Sequence, residues 1–468
     1  MPVPLKHTVP ALNSPPISIS EDATRAPPPA PLSPQITAHK AKKKRIQHLA
    51  LTRNVGQILH TFSLNSLNPE KCTTQVTWDR DPELLCSYNW RESVDGTNVI
   101  LVPGAPPKWT PPPLPYTLAV DSGIHYMDLN YARQPRFPFA PMFHALSLVS
   151  PSQDFSSVDI IADRNNLRTL LDYVQGKRGT FRLDLHLIGR TLFLVRSGDR
   201  YWGRTNGVAY GHNFEKHFTR AQQGLHDATS HYRVIRYPLG PLNVVVRFEA
   251  DAYHTGLDSD VVPNVDTENA AAACDANVVP VPPMTGGAAA SRPRFVYRTP
   301  LRVVPMGTAT PCSSIAELKT CSFREDRSLP NVRCMDQIWF GRTPHLFMGV
   351  CERGGTGVFK RIKYEATREK AGEWETKNQD ALKKLVALLI RLRGIVKMEQ
   401  GPCKAVVLVR EDESGPIRIR EMRVKTYIID NGAHRAHWPR ANATSVRQGT
   451  GNGPFDLNQD HHLPRGDE

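Results

Sequence analysis

The sequence contains no Cys-x-x-Cys pair. Its eight cysteines are scattered between Cys72 and Cys403, which argues against a structural zinc site as the organising element. No apolar run is long enough to span a bilayer, and no apolar signal segment follows Met1. The expectation is a protein with reduced thiols, in the nucleus or the cytoplasm, with no membrane partner. No Asp-Asp-x-x-Asp motif occurs, so the prenyl-diphosphate synthases drop out of the enzymes that handle diphosphates. Internal repeats are also missing, which argues against a solenoid. Acidic residues are in deficit: 45 against 59 basic ones, a net charge of +14. An excess of that size favours a polyanionic partner, nucleic acid or an anionic surface.

Proline is plentiful, with 40 residues, and unevenly spread. Residues 1–59 are expected to form a disordered, Pro-rich arm, unable to bury enough surface to offset chain entropy. The basic run His39-Lys40-Ala41-Lys42-Lys43-Lys44-Arg45 in it reads as a nuclear import signal or an RNA-contacting arm. Periodic sequence follows, over 60–430. Phe181, Leu183, Leu185 and Leu187 alternate with polar residues, and Gly189-Arg190 then fits a two-residue hairpin loop. Leu167, Leu170, Leu171 and Val174 have helical spacing, with Gly176 as a stop. Leu382 to Leu392 carry a longer apolar stripe, with a capping-box pattern from Thr376 to Gln379 and a stop at Gly394. Residues 254–312 interrupt this pattern as a low-complexity insertion, within which 296–304 has room for a short strand. Residues 431–468 read as a flexible tail.

The chemistry is concentrated in two tripeptides. In a strand over 242–252, Leu242, Val244, Val246, Phe248 and Ala250 make one face, and Asn243, Val245, Arg247, Glu249 and Asp251 the other. Alternation therefore sends Glu249 and Asp251 to the same side. Two adjacent carboxylates repel, and a hard cation such as Mg²⁺ or Mn²⁺ relieves that repulsion. Glu317-Leu318-Lys319, on a second strand, puts another carboxylate beside an amine. The glutamate suits a metal. The lysine suits the charge that grows on a phosphorane, or the water that attacks it.

Beyond these, the sequence resembles the decapping exonuclease (DXO) family, in a divergent, fungal-like branch. Six short motifs recur there in fixed order, and all have counterparts between about 60 and 430. They are Arg164 opening a helix, Gly211-His-Asn-Phe-Glu215, Glu249-Ala-Asp251, Glu317-Leu-Lys-Thr320, Gln337, and the strand and turn Leu346-Phe-Met-Gly-Val350 with Arg353-Gly-Gly-Thr-Gly357.

The resemblance implies a metal set of Glu215, Glu249, Asp251, Glu317 and the Leu318 carbonyl, holding one or two Mg or Mn ions. It implies that Lys319 and Gln337 contact the scissile phosphate and the water, and that Arg164 holds a substrate phosphate. The implied activity is hydrolysis of RNA 5′ ends: removal of incomplete or non-standard caps, of pyrophosphate or of an NAD cap, with 5′-to-3′ degradation following and a 5′-to-3′ exonuclease as partner. The alternatives are an inactive RNA-binding scaffold that stimulates such an exonuclease, and a nuclease of the same chemistry acting on DNA. Simpler roles compete at single positions: Arg164 pairing with its neighbour Asp163, Glu215 on a solvated helix face, Gln337 on the surface. Arg182, Arg190, Arg196, Arg200 and Arg204, near Tyr201-Trp202, have the composition of a single-strand path or of a charged sheet edge. The fold expected is α+β: a mixed, largely antiparallel two-sheet core with flanking helices and an active-site cleft between the sheets.

Overall fold

A computed structural model describes residues 34–67, 74–93, 95–197, 201–205, 207–256, 300–322, 334–352 and 354–439. By contacts, residues 50–468 form one unit and residues 1–49 another. The described part of the smaller unit is helical, in the helix Pro34–Thr52.

Two sheets and a short ribbon build the larger unit. Among the described residues, the first sheet has eleven strands and the second seven. Antiparallel pairs dominate, but the short strand Ile160–Asp163 runs parallel to both of its neighbours, Thr191–Arg196 and Leu242–Glu249. This is the mixed, largely antiparallel two-sheet core that the sequence led us to expect.

The centre of the first sheet is buried on both faces. Ile160, Ile161 and Ala162 are fully enclosed, as are Val244, Val245 and Val246. Continuous apolar runs of this kind are what a doubly covered strand needs. One face packs on the helices Arg164–Val174, Met335–Gly341 and Gln379–Met398. The other packs on the helix Ala140–Val149, with Trp438 in the same cluster. The second sheet holds a smaller core, in which Trp109 stacks on Phe347 at 4.3 Å between ring centres. There the helix Gly211–Phe218 lies close to the strand His345–Cys351. Gly349 permits this approach, because a Cβ at that position would lie 2.4 Å from the Phe214 ring.

Several expectations need correction. The second half of the 1–59 arm is helical from Pro34, and its last residues belong to the strand Val55–Phe62, paired with Ile417–Met422. The 242–252 segment is two strands: Leu242–Glu249 in the first sheet and Ala252–Tyr253 in the second. The face that carries Arg247 is a second core, with Val245 and Arg247 fully enclosed. The long helix begins at Gln379 and shows no side-chain cap. Gln379 instead exchanges hydrogen bonds with the Val76 backbone, and the helix runs through Gly394 to Met398.

The described end of the 254–312 insertion contributes the strand Arg302–Met306, parallel to Val99–Pro103. The start of the expected tail is the helix Asn431–His437, capped by Asp430. Residues 257–299 and 440–468 lie outside the described residues, as do Arg200 and Arg353. The hairpin at Gly189 has Ile188 paired with Thr191 and a positive φ of 58° at the glycine.

Candidate active site

The chain crosses from the first sheet to the second between Glu249 and Ala252. Glu249 is the last residue of its strand and keeps solvent contact; Asp251 lies in the crossing itself, partly buried. Asp251 is held by the neighbouring strand Ile315–Ser322, whose Leu318 N–H donates to its Oδ2 at 2.9 Å. That strand carries Glu317, almost wholly buried, and Lys319. The Lys319 ammonium contacts the Glu317 carboxylate, donates to the Leu318 carbonyl at 3.0 Å and lies 3.6 Å from Asp251.

Arg164 arrives from the start of the helix Arg164–Val174. Its Nη1 is 3.2 Å from the other Glu317 oxygen, and its guanidinium sits 4.9 Å over the Phe248 ring. Weaker bonds reach the backbone carbonyls of Gln337 and Glu249, at 3.4 and 3.5 Å. The Gln337 side chain, from the helix Met335–Gly341, donates to Glu317 Oε1. Glu215 comes from the helix Gly211–Phe218. The start of that helix is held by the Asp121 carboxylate, which accepts from the His212 and Asn213 N–H groups at 3.0 and 2.9 Å. The buried Phe214 and Phe218 fix the helix's opposite side.

All seven candidate side chains therefore meet in one place, supplied by five secondary-structure elements and the inter-sheet crossing. The neighbour pairing of Arg164 with Asp163 does not form: Asp163 is engaged bidentately by the fully buried Arg247, at 2.7 and 3.1 Å. Arg182 is not on a nucleic-acid path either. It is buried and tied to Asp184 and to the carbonyls of Leu51 and Arg53. Arg190 pairs with Asp159, while Arg196 faces a pocket beside the site.

The electrostatics follow from four carboxylates sharing one pocket with two cations. Desolvation by the surrounding protein, followed by the negative charge of Asp251, pushes the Glu249 carboxyl up to about 7, although the residue keeps an exposed edge. Burial and Glu317 push Asp251 up to about 6. Burial, then Asp251, raises Glu215 well above its ordinary range. Glu317 also pays a burial penalty, but Lys319 and Arg164 outweigh it and hold its carboxyl low. Lys319 is raised in turn by Glu317 and Asp251, against the effect of its burial. Raised carboxyls beside each other mark carboxylates that have lost water and also repel one another, with Lys319 and Arg164 offsetting only part of this. An all-oxygen donor set with that repulsion fits a hard divalent cation. Among the described residues no three of these groups are already arranged at ligating spacing. The Glu317 oxygens are turned to Lys319, Gln337 and Arg164 instead.

Sequence reasoning missed a second group of residues. Asp128, Asp163, Tyr232 and Arg247 line a cavity of about 190 Å³ that shares Arg164 and Glu249 with the carboxylate site. The available signal was Arg247, a charge in the middle of an otherwise apolar strand.

Fold and site together define an α+β protein with an acidic, cation-bridged pocket where its two sheets meet. The chain belongs to the family described as a domain of unknown function, DUF8563, whose model matches residues 57–438. No curated protein matches it. Among solved structures it is similar to S. pombe Rai1, at 14% identity and a TM-score of 0.46, over 77% of this chain and 99% of that one. It is also similar to Candida albicans Rai1, solved in complex with pU5 and Mn²⁺, at 12% identity and a TM-score of 0.41, over 79% and 94%. For K. lactis Dxo1, solved in complex with manganese, the values are 9%, 0.38, 80% and 98%.

Proposed function

We propose that this protein is a divalent-metal-dependent hydrolase of RNA 5′ ends, acting on incomplete or non-standard caps, 5′-triphosphates or NAD caps. The observation that carries the proposal is the convergence of Glu215, Glu249, Asp251 and Glu317 with Lys319, Gln337 and Arg164 on one pocket, from separate elements. Phosphodiester hydrolysis needs charge neutralisation and in-line positioning, and these groups supply both. Glu215, Glu249, Asp251, Glu317 and the Leu318 carbonyl would hold one or two Mg or Mn ions, which supply Lewis acidity toward the phosphate. Arg164 neutralises a non-bridging phosphate oxygen. Lys319 is charged at any physiological pH and stabilises the negative charge that grows at phosphorus. Gln337 orients water through the amide that now rests on Glu317. Nuclear localisation, directed by the basic run at 39–45, and a partner 5′-to-3′ exonuclease belong to the same proposal.

The test is turnover of 5′-triphosphate, unmethylated-cap and NAD-capped RNAs, and of a DNA counterpart, with Mg²⁺ and Mn²⁺. Glu317→Gln and Lys319→Ala are assayed beside the wild type. Release of the 5′ group from at least one RNA is expected, lost in both variants. Equal activity in both variants would remove the site. RNA binding without turnover by the wild type would favour the scaffold reading, and turnover of the DNA alone the DNA-nuclease reading.

A further inference from the structure

Two arginines among the described residues are wholly enclosed, Arg233 and Arg247. Arg247 is answered by both oxygens of Asp163. Among the described residues Arg233 meets no carboxylate. It lies in the strand Ala228–Leu239, opposite Ser87 on one neighbouring strand and Phe248 on the other, and neither is acidic. Its Nη2 donates to the Thr310 carbonyl at 2.9 Å and to the Cys312 sulfur at 3.4 Å. Its Nε and Nη1 are buried with no partner among the described residues. His231, the next residue on the same face, supplies no countercharge: burial, then Arg233, holds its imidazole neutral, well below the usual range. A buried cation without an opposite charge is strongly disfavoured. Arg342 is also buried without a carboxylate at hydrogen-bond distance, but lies 4.2 Å over the rings of Tyr237 and Trp339. For Arg233 the sulfur of Cys312 takes that place. Burial works against the charged guanidinium, and Cys312 works for it.

Cys312 itself is placed differently. It opens the short turn Cys312–Ser314 and is half-buried, between the exposed Pro311 and Ser313. The charge is thus inside and the cysteine at the surface. A guanidinium with no carboxylate to serve favours an anion at the atom it touches. Thiolate and sulfenate are the two anionic forms that a cysteine sulfur offers early in oxidation. Cys403 is the contrast within the same chain. It is also half-buried, but its thiol donates to the Thr426 carbonyl at 3.4 Å, a bond that only the protonated sulfur makes.

We infer that Cys312 is a modification site, oxidised by hydroperoxides to a sulfenate that Arg233 holds. The thiolate attacks the terminal oxygen of the peroxide. The S–O bond forms as the O–O bond breaks, and sulfur gives up the two electrons that reduce the peroxide. The proton of the attacked hydroxyl passes to the departing oxygen, which leaves as water or an alcohol. The sulfenate oxygen is then the acceptor that Nη1 lacks, since Nη1 and Nη2 share one edge of the guanidinium. None of the candidate metal ligands or phosphate-binding groups takes part, so the inference does not depend on hydrolysis. The fully reduced, full-length protein is exposed to a small excess of hydrogen peroxide with dimedone present, which traps sulfenic acid as a thioether. Peptide mass spectrometry follows each cysteine separately over time. Arg233→Met and Arg233→Gln remove the charge by two routes, so that one folded variant is enough. Arg233→Lys keeps the charge. Melting temperatures of all three are measured first.

In the wild type Cys312 is expected to be labelled about tenfold or more faster than Cys403. The neutral variants should bring Cys312 to within about twofold of Cys403, with Cys403 itself unchanged. Arg233→Lys should retain most of the difference. Equal labelling of Cys312 and Cys403 in the wild type would overturn the inference, and that comparison within one molecule needs no variant. Undiminished labelling of Cys312 in a folded Arg233→Met or Arg233→Gln would overturn it as well, because access to the sulfur alone would then account for its rate.

Discussion

The acidic pocket should weaken the fold that carries it when no cation is added, and Asp251→Asn tests this directly. Asp251 has a side chain only 12% exposed, and its carboxyl rises from an ordinary 3.8 to about 6. An acid whose folded-state pKa is raised binds its proton more tightly folded than unfolded. Stability then falls as pH climbs from the unfolded value to the folded one, and the loss stays constant above it. At about 1.4 kcal/mol per tenfold change in acidity, the ionised Asp251 costs about 3 kcal/mol above pH 6. Asparagine keeps an acceptor for the Leu318 N–H but gives up attraction to Lys319, so a net gain of about 1–2 kcal/mol is expected near neutral pH. In a unit of this size that corresponds to a melting temperature higher by about 1–2 °C. The assay is a set of thermal melts of wild type and variant in chelator, at pH 4 and pH 7.5, repeated with Mg²⁺ or Mn²⁺. The variant should melt higher at pH 7.5, its advantage should shrink at pH 4, and added cation should stabilise the wild type more. An equal or lower melting temperature for Asp251→Asn at pH 7.5 in chelator would refute the reasoning.

Glu317→Gln should lower any 5′-end hydrolysis by about a hundredfold or more, since it removes the carboxylate on which Arg164, Lys319 and Gln337 converge; single-turnover rates measure this. Arg247→Met should cost about 3–5 kcal/mol, because it leaves Asp163 without its buried bidentate partner; denaturant unfolding at neutral pH reads the loss. Gly357→Ala should destabilise by about 1–3 kcal/mol, as its φ is +73° and a Cβ there would lie 2.2 Å from the Leu118 carbonyl oxygen; a thermal melt matching the wild type would contradict the described turn.

How far the fold was legible depended on whether a residue's role was local. Alternation at Phe181–Leu187, the turn at Gly189 and the stop at Gly176 depend on neighbours in sequence, and the strands and helix they announced are present. Gln379 misled because its side chain is used by Val76, about three hundred positions away, and not by its own helix end. The burial of the 242–249 face that carries Arg247 was illegible for the same reason. Arg247 is neutralised by Asp163, which the parallel pairing of Ile160–Asp163 places directly opposite. The candidate site residues could be named individually, yet their distances to one another were set by sheet topology, to which strand periodicity is blind. The cavity beside the carboxylates left the weakest trace, because Asp128 and Tyr232 come from separate segments and neither belongs to a motif.

The crossing at 249–252 explains why the acidic residues sit where they do. Within one flat strand, Glu249 and Asp251 would share a face and repel with only solvent between them. Because the chain leaves the first sheet after Glu249, Asp251 is handed to the second sheet, where the Leu318 N–H and Lys319 receive it. The same crossing brings Glu317 under Arg164, whose helix is anchored on the first sheet. Each sheet thus contributes both acid and base: Glu249 and Arg164 from the first, Asp251, Glu317 and Lys319 at the second. A change in how the sheets meet would alter every one of these contacts together. Pocket electrostatics and sheet packing should therefore be coupled, so substitutions such as Arg247→Met, which touches no candidate metal ligand, are expected to weaken cation binding as well as the fold.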